Sequence, residues 1–328
     1  EPIGIMLVED EKVEAMFIAS YIEVLKSEGR TAGSIAILFR TNAQSRAIEE
    51  AFLKKNIPYR LIAGVKFYER KEIKDVLAYI KYIVNPSDLL SKKRVLNSPP
   101  RGIGKVLSLK YLGGMDLDEK SKIKIQKFEN IVDEIKKAIE TKEASRALLF
   151  LINTAGFDKY YKENKFEEDR KENILELISV AKKFDSLKPP EGIEKMLTEA
   201  SLATQETEIE DKDSQVILLT AHAAKGLEFD VVIIAGMEEG LFPHSLSEGP
   251  SEIEEERRLF YVALTRAREK IVITLARRRM LYGETLFNDP SRFLSEIPDN
   301  LITGPGIHDF GEPREYKDLS NDEEISIF

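Results

Sequence analysis

Cysteine is absent from the 328 residues, so disulfides and thiolate metal centres are excluded and no metal site is expected. No apolar run approaches the ~18 residues of a membrane span, and the N-terminal EPIGIMLVEDEK lacks the basic-then-apolar order of a secretory leader. Both absences predict a cytoplasmic chain without a membrane partner. Also missing is any G-x-x-x-x-G-K-[ST] segment, the loop that cradles the terminal phosphates of a nucleotide and places its Mg2+. What is present, 42% hydrophobic and 33% charged residues, is globular rather than disordered in composition, and the length allows two cores.

Excess positive charge is lacking as well, and a net charge of −9 argues at first sight against a nucleic-acid partner. The distribution reverses that reading. Residues 89–200 hold 23 Lys and Arg against 19 Asp and Glu, so the acidic excess lies elsewhere. Lys92, Lys93, Arg94, Arg101, Lys105 and Lys110 fall in one acid-free stretch, and a local basic patch is what phosphate contacts require. Residues 296–328, with nine acidic and two basic side chains, predict a solvated, flexible tail.

Periodicity divides the chain. Strands at Ile3–Val8, Ile35–Phe39 and Tyr59–Ile62 alternate with amphipathic helices at Lys12–Leu25, Ser45–Lys54 and Lys71–Val84, a pattern that predicts a mostly parallel sheet covered on both faces. After the turn at Asn85–Pro86 the signals become helical, with helices expected at Lys122–Ile139, Ala144–Ala155, Glu172–Phe184 and Gly192–Ala200. Strands return at Val216–Leu219, Val231–Ala235 and Ile271–Leu275. The simplest account is an α/β domain interrupted by a helical one.

Four segments sit where chemistry would be expected. Leu219–Asp230, LTAHAAKGLEFD, follows a strand, and ligands of open α/β sheets bind beyond strand carboxyl ends, so His222 should face a cleft with Lys225 beside it. Glu228 can accept hydrogen bonds from sugar hydroxyls. Glu254–Arg268, EEERRLFYVALTRAR, reads as a helix acidic at its start and basic at its end, carrying Arg257, Arg258 and Arg266. Phe39–Arg46 is a strand-to-helix junction that Asn42 or Ser45 could cap. Pro100–Lys105 is a Gly-x-Gly turn in which Gly102 and Gly104 would admit a phosphate closely while Arg101 and Lys105 add charge.

The first and second of these segments, LTAHAAKGLEFD and EEERRLFYVALTRAR, resemble motifs V and VI of the superfamily 1 DNA helicases of the UvrD/PcrA/Rep type. FRTNAQSR and AGVKFYER resemble two further motifs of that family. The resemblance implies a RecA-like doubly wound parallel sheet, akin to P-loop NTPases but without its own P-loop. Residues 1–88 and 202–295 would form the second motor domain, 89–201 the inserted helical domain and 296–328 the acidic tail. It further implies ATP with Mg2+ as cofactor, bound mainly by a first RecA-like domain not included in this sequence. Arg266 would meet the γ-phosphate and Glu228 the ribose, with Arg257 turned toward the same cleft. His222, Lys225 and Lys66 would contact single-stranded DNA, and Arg101, Gly102, Gly104 and Lys105 the duplex of a fork. Repair or transcription proteins are further expected partners.

The implied activity is 3′ to 5′ ATP-dependent translocation and unwinding, of which this chain alone would perform none. His222 and Arg266 are expected on adjoining parts of one carboxyl-terminal sheet rim. The competing reading is a non-catalytic DNA- or protein-binding module derived from a helicase. A phosphoacceptor receiver, suggested by Ile5–Asp10, lacks the required aspartate within residues 50–57. If the basic patch meets phosphate, binding of labelled single-stranded and forked DNA at two salt concentrations should give a log–log slope steeper than about −2. A flat dependence would contradict it.

Overall fold

A computed structural model describes residues 1–163, 168–204, 212–245, 247 and 249–303. Its first element, β1 (Ile3–Val8), leads into α1 (Glu11–Ser27), whose first turn is closed by Asp10, its Oδ1 accepting from the Lys12 and Val13 amides. There follow β2 (Ile35–Phe39), α2 (Ser45–Lys54), β3 (Tyr59–Leu61) and α3 (Lys71–Val84). The helical portion comprises α4 (Leu89–Val95), α5 (Lys105–Leu112), α6 (Glu119–Thr141), α7 (Ala144–Ala155), α8 (Phe157–Glu163), α9 (Glu168–Lys182) and α10 (Glu191–Ala203). The chain then returns through β4 (Val216–Thr220), β5 (Phe229–Ile234), α11 (Pro250–Leu264) and β6 (Ala267–Ala276), and adds a hairpin of β7 (Arg279–Leu281) and β8 (Glu284–Leu286) before β9 (Ile302–Thr303).

Seven strands form one sheet in the order β3-β4-β2-β5-β6-β1-β9, and every pairing in it is parallel. Side chains of a strand alternate between faces, and β2 shows this directly. Ile35, Ile37 and Phe39 join the core under α1 and α2, whereas Ala36 and Leu38 join the core under α11. Strands buried on both faces read as continuous apolar runs, which is why IAILF and VVII carry no alternation in sequence.

The helical portion has its own core, and that core begins earlier than the sequence implied. Ile73, Val76, Leu77, Ile80 and Ile83 of α3 pack with residues of α6, α7 and α9, so α3 is structurally shared rather than part of the α/β portion alone. The expected flexible tail also needs correction. Within residues 296–303, Ile297 is buried, Glu296 pairs with Arg257, and Ile302 pairs with Ile3 to extend the sheet. Apolar Ile297 and Ile302 favour packing there despite the acidic composition, and residues 304–328 lie outside the described ones.

Two buried charge networks brace the chain, the first within the α/β portion and the second between it and the helical portion. Arg279 lies between Glu14 of α1 and Glu238 beyond β5, all three nearly inaccessible, and Glu14 also accepts from Gly236 N and Thr274 Oγ1. Arg46 of α2 meets Glu176 of α9 at 2.5 Å and Glu50 at 3.1 Å, and Glu176 in turn accepts from the Tyr282 amide after β7. Glu49, Arg70, Asn173 and Glu72 continue this second network. Buried charges are tolerated only when paired and fully hydrogen-bonded, so removing one partner strands the others. Arg279→Met is therefore expected to lower unfolding free energy by about 3–5 kcal/mol in urea titrations. A change below about 1 kcal/mol would show that the pair of carboxylates does not depend on it.

Candidate functional site at two sheet edges

Parallel strands give the sheet two chemically distinct edges. At the carboxyl edge, Thr220 ends β4 opposite Phe39 of β2. At the amino edge, Phe229 begins β5 opposite Ala267 of β6. Residues 221–228 connect one edge to the other, passing over the face covered by α11 with Ala221 and Ala224 buried in its core. That segment carries both His222 and Glu228.

His222 and Arg266 therefore do not share a rim, contrary to expectation. His222 follows β4 at the carboxyl edge, whereas Arg266 precedes β6 at the amino edge. The reason is the length of α11. It ends at Leu264, and Arg266 occupies the turn before β6, so the helix has already crossed from the carboxyl edge to the amino one. Arg266 and Arg268 consequently do not form the basic end of that helix.

At the amino edge Arg266 is held firmly. Its Nη1 donates to the Leu227 carbonyl at 2.9 Å, Nε to the Val262 carbonyl at 3.0 Å and Nη2 to Thr265 Oγ1 at 3.0 Å. A guanidinium has five N–H groups, so two remain for a ligand. The next residue of the connection, Glu228, is exposed and pairs with Arg268 at 3.2 Å. A carboxylate acceptor and a forked cation are thus brought together, separated in sequence by 38 positions. Such a set suits sugar hydroxyls beside phosphate oxygens, so these residues fit a nucleotide. Arg257 is placed differently: it pairs with Glu254 and Glu296 and lies over the Phe293 ring. Both of those carboxylates are exposed, and Arg258 is exposed beside Glu255.

The carboxyl edge has a different character. Arg40 grips Glu256 of α11 with Nε and Nη2 at 2.6–3.0 Å, and Glu256 also accepts from the His244 amide. His222 stands near this pair. Partial burial, then the Arg40 cation, hold its pKa below the usual 6.5. Lys225 is exposed on the same connection, and Gly226 takes φ +84°, a left-handed turn that favours glycine. Lys66 follows β3 with Nζ 4.9 Å from the Tyr59 ring centroid, and Arg70 anchors the loop between them through Val65 O, Asn42 O and Asn173 Oδ1. Neither Asn42 nor Ser45 caps α2; the turn before it is closed by Gln44, whose Oε1 accepts from the Arg40 and Thr41 amides. Arg40, His244 and Arg70 were not singled out from sequence, although Arg40 and Arg70 lie in segments quoted for other residues.

In the helical portion the Gly-x-Gly turn lies between α4 and α5 as expected, but its charges divide. Arg101 is turned inward, with Nη1 on Tyr79 Oη and the Val95 carbonyl and Nη2 on the Ser98 and Ala155 carbonyls. Four oxygens of the protein thus surround the guanidinium that was expected to meet phosphate. Asn97 Oδ1 takes the Arg101 and Ile103 amides. Gly102, at φ +75°, offers its carbonyl to Lys124 Nζ at 3.0 Å, while Gly104 and Lys105 open α5 exposed to solvent. Among the described residues no three His, Asp or Glu side chains converge as a metal cage.

A seven-stranded parallel sheet with helices on both faces and a helical insertion after its third strand define a RecA-like α/β fold. The family model of the UvrD-like helicase C-terminal domain matches residues 1–118 and 110–278, and the chain belongs to that family. It is 40% identical over 316 residues to a protein of Staphylococcus aureus (strain MRSA252) named ATP-dependent DNA helicase PcrA, covering 89% of this chain and 43% of that protein. A protein of Bacillus subtilis (strain 168) with the same name is 37% identical over 321 residues, at 90% and 43% coverage. The chain thus spans less than half the length of these relatives.

The depressed pKa of His222 has a measurable sign. A neutral imidazole favoured by the fold contributes stability above the unfolded value near 6.5, and that contribution is lost as pH falls below it. NMR titration should place the His222 midpoint below 6.5, and Arg40→Gln should move it upward. A midpoint at or above 6.5 in the unsubstituted chain would remove the electrostatic link between the two.

Proposed function

We propose that this chain is the second motor half of an ATP-dependent DNA helicase, with nucleotide at the amino edge and single-stranded DNA at the carboxyl edge. The observation that carries the reading is the connection at residues 221–228, which bears His222 at one edge and Glu228 at the other. Glu228 receives the ribose hydroxyls. Arg266, held by Leu227 O and Val262 O, keeps two N–H groups for the γ-phosphate, where a preorganised cation stabilises charge that develops during transfer. Bound ATP supplies the transferable phosphoryl group, and its Mg2+ and phosphate loop belong to the first motor domain that this reading requires.

At the other edge, His222, Lys225 and Lys66 hold the strand. Lys105 and the exposed backbone around Gly102 and Gly104 meet duplex phosphates ahead of it, a sequence-independent grip. Opening and closing between two motor domains then converts hydrolysis into steps, with 3′ to 5′ direction resting on resemblance to the family. Repair or transcription proteins are the partners this family reading suggests, and the cytoplasm its setting.

Joined to a phosphate-loop motor domain, Arg266→Ala is expected to reduce DNA-stimulated ATP hydrolysis by about 10³-fold with DNA affinity changed less than about twofold. His222→Ala should do the opposite, weakening DNA binding before it affects basal hydrolysis. Arg266→Lys separates charge from the fork: it keeps the cation but loses the bonds to Leu227 and Val262. Full hydrolysis by Arg266→Ala would overturn the assignment.

A further inference from the structure

A groove of about 750 Å³ opens between α1, α2 and α10, on the side of the molecule away from the α11-covered face. It is within the size range of ligand sites, and no part of the motor reading uses it. Its floor is apolar: Met16, Leu53, Phe184 and Leu202 line it, with Met16 40% and Leu202 63% exposed. Arg46, Glu50 and Lys183 also line it, but they neutralise one another together with Glu176. The charges left over are Lys12 and Lys54, which are exposed and make no ion pair among the described residues, against Glu199. An occupant must therefore combine apolar side chains with carboxylates.

The sequence contains such a segment. Residues 304–328 hold seven acidic and two basic residues, and they finish Asp322–Glu323–Glu324–Ile325–Ser326–Ile327–Phe328. Three carboxylates are followed by three large apolar side chains, the complement of two lysines above an apolar floor. Reach is ample. The segment departs from β9, which pairs with the amino-terminal end of β1, while Lys12 and Met16 lie just beyond its carboxyl end. One strand of that length spans roughly 20 Å, whereas 25 residues extend to roughly 80 Å. Tethering at that distance replaces a bimolecular encounter with an effective concentration in the millimolar range.

We propose that the groove is a docking site for the chain's own acidic tail, with Ile325, Ile327 and Phe328 over the apolar floor and Asp322–Glu324 facing Lys12 and Lys54. This assignment does not depend on the motor reading. Docking ties the sheet edge at β9 to the junction of α1, α2 and the helical portion. It also places carboxylates over two lysines that would otherwise be free to attract phosphate.

The absence of cysteine makes the test clean. In the full chain, Ser326→Cys paired with Leu202→Cys or with Met16→Cys should form an intramolecular disulfide under mild oxidation, since bridging requires Cα atoms within about 7 Å. Ser326→Cys paired with Leu90→Cys, an 82% exposed position on α4 outside the groove, should do so at least tenfold more slowly. Adding Lys12→Glu and Lys54→Glu should slow the groove cross-link at least fivefold, and Asp322→Lys with Glu323→Lys should restore it in that background. All of these positions are solvent-exposed or outside the described core, and circular dichroism of each variant checks folding. Equal rates to Leu202→Cys and Leu90→Cys, adducts only between chains, or no response to charge reversal would each overturn the proposal.

Discussion

The parallel direction of all seven strands is the constraint on which the functional arrangement depends. It forces every connection between strands to travel from one sheet edge to the other, so residues near in sequence can end at opposite edges. Between β4 and β5 that journey takes only residues 221–228, too short for a helix of ordinary length. The polypeptide solves it with successive turns packed by Ala221 and Ala224 and reversed at Gly226. One short segment then serves two environments, a histidine beside Arg40 and Glu256 and a glutamate beside Arg266 and Arg268. α11 makes the same crossing in parallel with it, and the Arg266–Leu227 hydrogen bond joins the two where they finish. A displacement of either element at one edge must be accommodated by its neighbour at the other.

The second organising feature is electrostatic. The sheet and the helical portion meet through Arg46, Glu50, Glu176, Arg70, Asn173 and Glu72 rather than through a purely apolar seam. Burial pushes the Glu176 carboxyl above its usual range even with Arg46 against it, whereas Glu50, flanked by Arg46 and Lys183, is held below its own. Such groups specify one arrangement of the two parts because a shifted arrangement would leave charges without partners. The same residues α2 and its preceding turn use to build the carboxyl edge also anchor the insertion, so that edge and the helical portion share a foundation at Arg70 and Ser45.

Much of the architecture was legible from sequence because it is encoded locally. β2, α2, α3 and α7 have the very limits their periodicity and breakers suggest: Ile35–Phe39, Ser45–Lys54, Lys71–Val84 and Ala144–Ala155. Short helices such as α4, α5 and α8 carry too few turns for a periodic signal, and β9 is two residues whose pairing is visible only from β1. Residue types at the sites were legible too, through motifs, while their destinations were not. Arg101 stands in an acid-free basic run and reads as a phosphate ligand, yet the carbonyls of Val95, Ser98 and Ala155 converge on it from two separate elements. Arg257 reads as half of an arginine pair in a cleft, yet Glu296, 39 positions later, returns to claim it.

The sequence by itself determined the fold class, the helical interruption and the membership in the UvrD-like helicase family, since apolar period, breakers and contiguous motifs are properties of neighbouring residues. Tertiary structure alone decided which edge each functional group occupies and which cations are free. Those depend on strand direction, on the point where α11 stops, and on carboxylates and carbonyls contributed from distant parts of the chain, and no local pattern records them.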